Sequence, residues 1–296
     1  MKKQKQTNML HTPVLAKEVC ATLAPKKGDS YLDLTAGYGG HAGLVLETTQ
    51  NFKSSVLCDR DQEAIDHVTD LFRNSGIRTL KKDFSSACDD LIEENRTFDI
   101  ILADLGVSSP HLDKANRGFS VVRDGPLDMR MDQASGRTVA VLIDSASEQE
   151  LETILRVYGE EPKARKIAHA LVVSRPFSTT AELAECVKRV YGTYTKHHPA
   201  VRSFQALRIA VNEELSQLSD MLPKAITLLA PGGRLGVISF HSLEDRIVKQ
   251  FFTEQAEAGY EATLTLLTKR PLTASANELS INPRARSAKL RAVCKK

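Results

Sequence analysis

Five short stretches of this 296-residue chain carry polar groups at spacings that suit chemistry. The first is Asp33-Leu34-Thr35-Ala36-Gly37-Tyr38-Gly39-Gly40-His41, in which Gly37, Gly39 and Gly40 let the backbone turn sharply and approach a ligand closely. The second is Asp59, about 20 residues on, where a carboxylate at a strand end accepts both hydroxyls of an adenosine ribose. In the third, Asp83-Phe84, the ring of Phe84 suits packing on an adenine and Asp83 suits accepting its amino group. The fourth and fifth are Asp104-Leu105-Gly106-Val107-Ser108-Ser109-Pro110 and Phe240-His241-Ser242-Leu243-Glu244-Asp245. They offer two clusters of proton acceptors: Asp104, Ser108 and Ser109 in one, His241, Glu244 and Asp245 in the other. Metal chemistry is not expected. The cysteines at 20, 58, 88, 186 and 294 form no CxxC pair and no zinc-spaced cluster with histidine. The adjacent His197-His198 lacks the i, i+3 or i+4 spacing of helical ligands and reads as a solvated loop before Pro199.

The elements that must position these groups follow from periodicity. Strands are predicted over 31–36, 54–58, 77–82 and 98–103, and the apolar run FDIILA suits a strand buried on both faces. Helical patterns between them imply βαβ units and a parallel sheet. From 113 to 215 there is no convincing buried strand. Helices are predicted over 148–158, 163–173 and 180–191, the last starting at Thr179-Thr180. One long amphipathic helix is predicted over 203–222, with Leu207, Val211, Leu215, Leu218 and Leu222 as its stripe and Gln205, Arg208 and Asn212 on another face. A turn at Pro231-Gly232-Gly233 then leads into a strand over 234–240, a helix over 243–255 and strands over 262–267 and 287–294. The expected architecture is an α/β sheet domain, 1–112 and 216–296, with a helical insertion over 113–215.

Composition narrows the class. The chain is 42% hydrophobic and 26% charged, ordinary for a globular protein of this length. Its longest apolar runs, such as Ala140 to Ile143, fall far short of the ~20 residues a membrane span needs. The basic N-terminus MKKQKQTNML is followed by no apolar stretch, so no secretory signal is expected and the protein reads as cytoplasmic. With 40 basic and 37 acidic residues, the net charge of +3 does not by itself point to nucleic acid. From 284 to 296, however, there are six basic residues and no acidic one, which suits either a solvated strand or a polyanion.

The glycine loop alone leaves two cofactors open, because Gly37, Gly39 and Ala42 also satisfy the GxGxxA dinucleotide fingerprint. The polar loop beginning at Asp104 favours S-adenosylmethionine, since methyltransferases place there the groups that face the methyl donor. Two other classes stay on the table: a nicotinamide-dependent oxidoreductase, which would need a hydride-acceptor site, and a nucleotide- or RNA-binding assembly protein without catalysis.

Nine segments sharpen the choice: HTPVL from His11, DLTAGYGGH from Asp33, DLGVSSPHLD from Asp104, RGFS from Arg117, GPLDMRMD from Gly125, YGEE from Tyr158, FQALRIAVNEEL from Phe204, FHSLEDRIVK from Phe240 and NPRARSAKLR from Asn282. In these the chain resembles the bacterial 16S rRNA cytosine-N4 methyltransferase family over nearly its whole length. The resemblance implies a Rossmann-like class I methyltransferase sheet with an inserted all-helical domain for substrate recognition. It implies S-adenosylmethionine as cofactor, held by Gly37, Gly39, Gly40, His41, Asp59, Phe84 and Asp104. His111 stands where the family has glutamine, at another cofactor contact. The implied substrate is a cytidine in the decoding region of 16S rRNA, as RNA or within the small ribosomal subunit.

The chemistry of that reaction is undemanding of the protein. The exocyclic amine is conjugated with the ring and is a poor nucleophile, but the sulfonium methyl is already activated. Positioning the amine and accepting its hydrogens suffices, and Asp104, Ser108, Ser109 and His241 are the expected catalytic groups. Methylation at cytosine C5 would need a thiolate, and none of the five cysteines lies in either acceptor loop. Ser242 is expected to cap the following helix, with Asp245 completing a capping box. Arg123, Arg130 and Arg137 either meet RNA phosphate or pair with Asp124, Asp128 and Asp132, and Arg130 reads as structural. The target base must be splayed from its stack to reach the methyl.

Overall fold

A computed structural model describes residues 13–192 and 198–296, so His11, Thr12 and His197 lie outside the described residues. The chain forms two compact units, one running to Gly106 and resuming at Gln217, the other Val107–Ser216. In order, the elements are α1 (Ala16–Leu23), β1 (Tyr31–Asp33), α2 (Gly40–Thr49), β2 (Val56–Asp59), α3 (Gln62–Leu71), β3 (Arg78–Lys81), α4 (Phe84–Glu93) and β4 (Phe98–Asp104). The second unit holds α5 (Ser109–Asp113), α6 (Val139–Ser145), α7 (Glu148–Gly159), α8 (Ala164–Ser174), α9 (Thr180–Tyr191) and α10 (Val201–Asn212). Then come α11 (Glu214–Leu228), β5 (Leu229–Ser239), α12 (Ser242–Ala256), β6 (Leu264–Leu266), β7 (Leu272–Thr273), α13 (Ala276–Ile281) and β8 (Lys289–Lys295).

The sheet runs β3-β2-β1-β4-β5-β8-β6, with β7 also paired to β8. β1 to β5 are parallel, and β8 returns antiparallel. This is a Rossmann-like sheet, the doubly wound α/β arrangement expected from the sequence. β1, β2 and β4 are buried on both faces because their apolar residues alternate between two cores. Leu32, Val56 and Ile101 face one core, while Tyr31, Leu57, Ile100 and Leu102 face the other. The strand order reverses between β1 and β4, which opens a crevice beyond their carboxyl ends. In the Val107–Ser216 unit, a separate core gathers Leu142, Leu151, Ile167, Leu171, Leu183 and Leu207.

Three sequence expectations differ in detail. The helix predicted over 203–222 is two helices, α10 and α11, parted at Glu213 with φ 52°. Leu207 of its stripe belongs to the insert core, and Leu218 and Leu222 to the sheet core. Apolar spacing continues through one left-handed residue, so the pattern conceals the break. The turn predicted at Pro231-Gly232-Gly233 is an excursion inside β5: Leu229 faces Phe98, and the next pair is Arg234 with Ile100. A Cβ on Gly233 would stand 3.0 Å from the carbonyl oxygen of Phe98, so glycine permits the close passage. Finally, the insert begins at Val107, before residue 113, because Val107 and Leu112 pack on its core.

Candidate active site

The crevice is built from the ends of β1, β2, β4 and β5. After β1 the chain passes Gly37 at φ 50° and Gly39 at φ 80°, and α2 begins at Gly40. A Cβ on Gly39 would lie 2.8 Å from Cδ2 of Leu71, and one on Gly40 3.2 Å from Cβ of Pro13. These two glycines therefore let the loop seat against α3 and Pro13, a protein-facing reason that spacing alone does not reveal. Asp59 ends β2 and secures the same loop: its Oδ2 accepts the Gly37 N–H at 2.8 Å and its Oδ1 the Asp61 N–H at 2.9 Å. Asp83 is the N-cap of α4, accepting from the backbone of Ser85 (3.1 Å) and Ser86 (3.0 Å) and from the Ser86 hydroxyl (2.7 Å). Burial opposes its charge, but those bonds and nearby Arg60 prevail and hold the carboxyl below its usual range. Phe84 is half-buried against the sheet core.

The centre of the crevice is acidic. Asp33 is fully enclosed, with its Oδ2 accepting the Tyr31 hydroxyl at 2.7 Å and its Oδ1 the Thr35 N–H at 3.1 Å. The Thr35 hydroxyl accepts the Asp104 N–H at 2.6 Å, tying the ends of β1 and β4 together. Asp104 shows 26% of its side chain to solvent, while its Oδ1 is buried without a hydrogen-bond partner among the described residues. Its Oδ2 lies 3.6 Å from Nε2 of His41, beyond hydrogen-bond reach. Burial, then Asp33 and Glu244, hold the Asp104 carboxyl well above the usual range. Burial also pushes Asp33 up to about 7, against the hydrogen bonds from Tyr31 and Thr35. Burial pushes His41 down to about 4, against a hydrogen bond to the Val14 backbone, so its imidazole is neutral. Asp33, Thr35 and Tyr31 were not among the expected site residues. The available signal was Tyr31 and Asp33 two positions apart, on one face of a strand that ends at a glycine loop.

After β5, the helix cap is His241 and not Ser242. Its Nδ1 accepts the Glu244 N–H at 3.4 Å, and Glu244 Oε2 accepts the backbone of Phe240 (2.8 Å) and His241 (3.2 Å). Imidazole succeeds here because Nδ1 stands where a serine oxygen would. Asp245 is drawn to Lys289 (2.9 Å) and Arg291 (2.7 Å) and serves no capping box. That pairing, with Lys295 donating to the carbonyls of Ile226 and Leu229 at 2.8 Å, accounts structurally for three of the basic residues of the final segment.

In the insert, Ser108 precedes α5 and Ser109 opens it. The Ser108 N–H donates to Nδ1 of His111 at 3.3 Å, and the ring of His111 stacks on Phe119 with centroids 5.0 Å apart. The Ser108 hydroxyl has no hydrogen-bond partner among the described residues. Arg130 forms a fork with Asp128 at 2.7 and 3.0 Å, a structural role. Arg123 meets Asp113, not Asp124. Asn212 joins two of the sequence motifs: its Oδ1 accepts the Met131 N–H at 2.8 Å, and its Nδ2 donates to the carbonyls of Met129 (2.8 Å) and Arg208 (2.9 Å). The polar face expected on that helix is thus spent on internal ties, with Arg208 bonded to Glu214 and Gln205 to the Tyr158 carbonyl.

The crevice thus offers a glycine-turned loop, the Asp59 carboxylate at the end of β2 and the buried acidic group of Asp104 at the end of β4. The sequence profile of the MraW methylase family matches residues 8–296. The chain is 46% identical over 287 residues to Ribosomal RNA small subunit methyltransferase H of Cyanothece sp. (strain PCC 7425 / ATCC 29141), covering 97% of this chain and 95% of that protein. It is 45% identical over 304 residues to the protein of the same name from Syntrophotalea carbinolica, covering 96% and 97%. With the fold, the crevice and these relatives in agreement, the chain belongs to the MraW methylase family and is an S-adenosylmethionine-dependent methyltransferase.

Proposed function

We propose that the protein methylates the N4 amine of a cytidine in the decoding region of bacterial 16S rRNA, acting in the cytoplasm on the RNA or the small ribosomal subunit. The observation that carries this reading is Asp104: a carboxyl group at the mouth of the β1/β4 crevice whose buried Oδ1 has no hydrogen-bond partner among the described residues. A buried acceptor left unpaired costs about 1–3 kcal/mol and is retained where a ligand completes it. The donor set fits S-adenosylmethionine, because a neutral histidine and several carboxylates suit a cation better than a phosphate. Gly37, Gly39, Gly40 and His41 in the loop, Asp59 and Phe84 on the adenosine side, and Asp104 toward the methyl would hold it. His111 joins them if its ring keeps a second contact beyond its own turn. When bound, the cofactor supplies a methyl group already activated as a sulfonium.

The chain's own residues then have modest tasks. Asp104 accepts the hydrogens of the amine, and Ser108 presents its hydroxyl from the following loop; the side chain of Ser109, the other expected acceptor, lies outside the described residues. His241, 9% exposed and fixed as the cap of α12, orients the base. The insert, Val107–Ser216, continuous with the end of β4, recognises the RNA. The cysteines argue for direct attack by the amine: burial raises the thiols of Cys58 and Cys88, keeping them protonated and unsuited to covalent catalysis at C5. The test is transfer of a labelled methyl group to purified small subunits, with mass mapping of the modified nucleotide. Methyl on C5 or on a ribose, or a stable adduct with 5-fluorocytidine RNA, would overturn the reading.

A further inference from the structure

The crevice holds two buried carboxyl groups without a fixed cation beside them. Among the described residues, neither Asp33 nor Asp104 meets a lysine or arginine, and the base nearest Asp104 is His41, which burial keeps neutral. The other groups acting on the pair are Tyr31 on β1, Asp59 on β2 and Glu244 on α12, none of them a cation. Thr35 links the pair mechanically, taking the Asp104 N–H on its hydroxyl and giving its own N–H to Asp33. Asp33 disfavours the charged form of Asp104 and burial disfavours it in both, so the pair is disposed to hold a proton until a positive charge arrives.

We propose that Asp33 and Asp104 form a proton-linked charge sensor that distinguishes the cationic methyl donor from its neutral thioether product. Binding of the donor brings a positive sulfur to the crevice, and the pair releases a proton. Binding of the product brings no charge, and the pair keeps it. Methyl transfer is then balanced internally. The lone pair of the acceptor amine forms the N–C bond as the S–C bond breaks, and the S–C electrons remain on sulfur, which becomes neutral. The amine sheds one proton, and Asp104, no longer facing a cation, takes it on Oδ1. The net charge of pair plus ligand is the same in the free site, the donor complex and the product complex. The transfer step rests on the amine reading above, whereas the discrimination between donor and product does not.

The experiment is isothermal titration calorimetry of the full chain with S-adenosylmethionine and, separately, S-adenosylhomocysteine. Each is run in buffers of different ionisation enthalpy, from pH 6 to 9. The expected result is release of up to one proton with the donor and none with the product. Donor affinity then rises up to tenfold per pH unit below the midpoint, while product affinity stays flat. In Asp33→Asn the donor's slope should flatten. Tyr31→Phe, which removes a hydrogen bond that favours the ionised Asp33, should move the midpoint to higher pH and remains informative if Asp33→Asn fails to fold. Equal proton counts and parallel pH profiles for the two ligands would overturn the proposal. So would unchanged wild-type behaviour in both variants. Failure of the amine reading would appear only in the mapped RNA product, leaving these binding results intact.

Discussion

Asp104 and Asp59 both end parallel strands, yet they face different consequences on substitution. The backbone of Asp104 is anchored through Thr35, so Asp104→Asn keeps the fold and loses the buried proton acceptor. Methyl transfer to small subunits, measured at saturating donor, should fall by about 10²–10³-fold, the scale of one transition-state hydrogen bond. A loss below tenfold would remove Asp104 from the proton-accepting role. Asp59 holds the Gly37 and Asp61 amides while serving the proposed ribose contact. Charge-assisted bonds of this kind contribute about 1.5–3 kcal/mol each. Asp59→Ala should therefore raise the dissociation constant for S-adenosylmethionine at least tenfold by calorimetry. An unchanged constant in a folded protein would sink the placement.

At the level of elements, the insert is locked by its own polar ties as much as by its core. Gly125 has no room for a side chain beside the Ala115 carbonyl, and Gly118, at φ 76°, has none beside that of Pro126. Asn212, at the end of α10, holds the Met129–Met131 segment by two bonds of 2.8 Å. Asn212→Ala strands a buried N–H and a buried carbonyl, each costing about 1–3 kcal/mol. Urea unfolding should show a loss of about 2–5 kcal/mol. A loss under 1 kcal/mol would mean that the segment finds other partners. On this account the unusual GPLDMRMD motif is architecture: Leu127, Met129 and Met131 enter the insert core, and Arg130 folds back on Asp128.

For the molecule as a whole, the chain divides into two units with separate cores. The sheet unit carries Asp33, His41, Asp59, Asp104 and His241, while the insert carries Ser108, Ser109 and His111. Joining Gly106 to Gln217 through a flexible linker should leave a folded sheet unit that binds S-adenosylmethionine within about tenfold of the intact chain, a change of 1.4 kcal/mol or less. Methyl transfer to small subunits should vanish. Transfer that survived the excision would deny the insert any role in substrate recognition.

The sequence by itself determined what local periodicity and residue type can encode. The runs at Leu32, Leu57 and Ile100–Leu102 could satisfy themselves only as strands buried on both faces. Glycine at 37 and 39 marked backbone that turns with positive φ, and Thr179 marked a helix start. The acidic residues at the ends of β2 and β4 were legible for the same reason, as polar groups closing apolar strands. What only the tertiary structure decided was partnership. That Thr35 would meet Asp104, 69 positions away, or that Asn212 would meet Met131, 81 away, depends on sheet order and helix packing, which periodicity does not carry. The break at Glu213 was hidden because a single left-handed residue leaves the apolar spacing intact while sending the next helix into a different core. The charge state of the crevice was hidden too: Asp33, Asp104 and His41 are ordinary titratable residues until burial withdraws the water that would have solvated their charged forms.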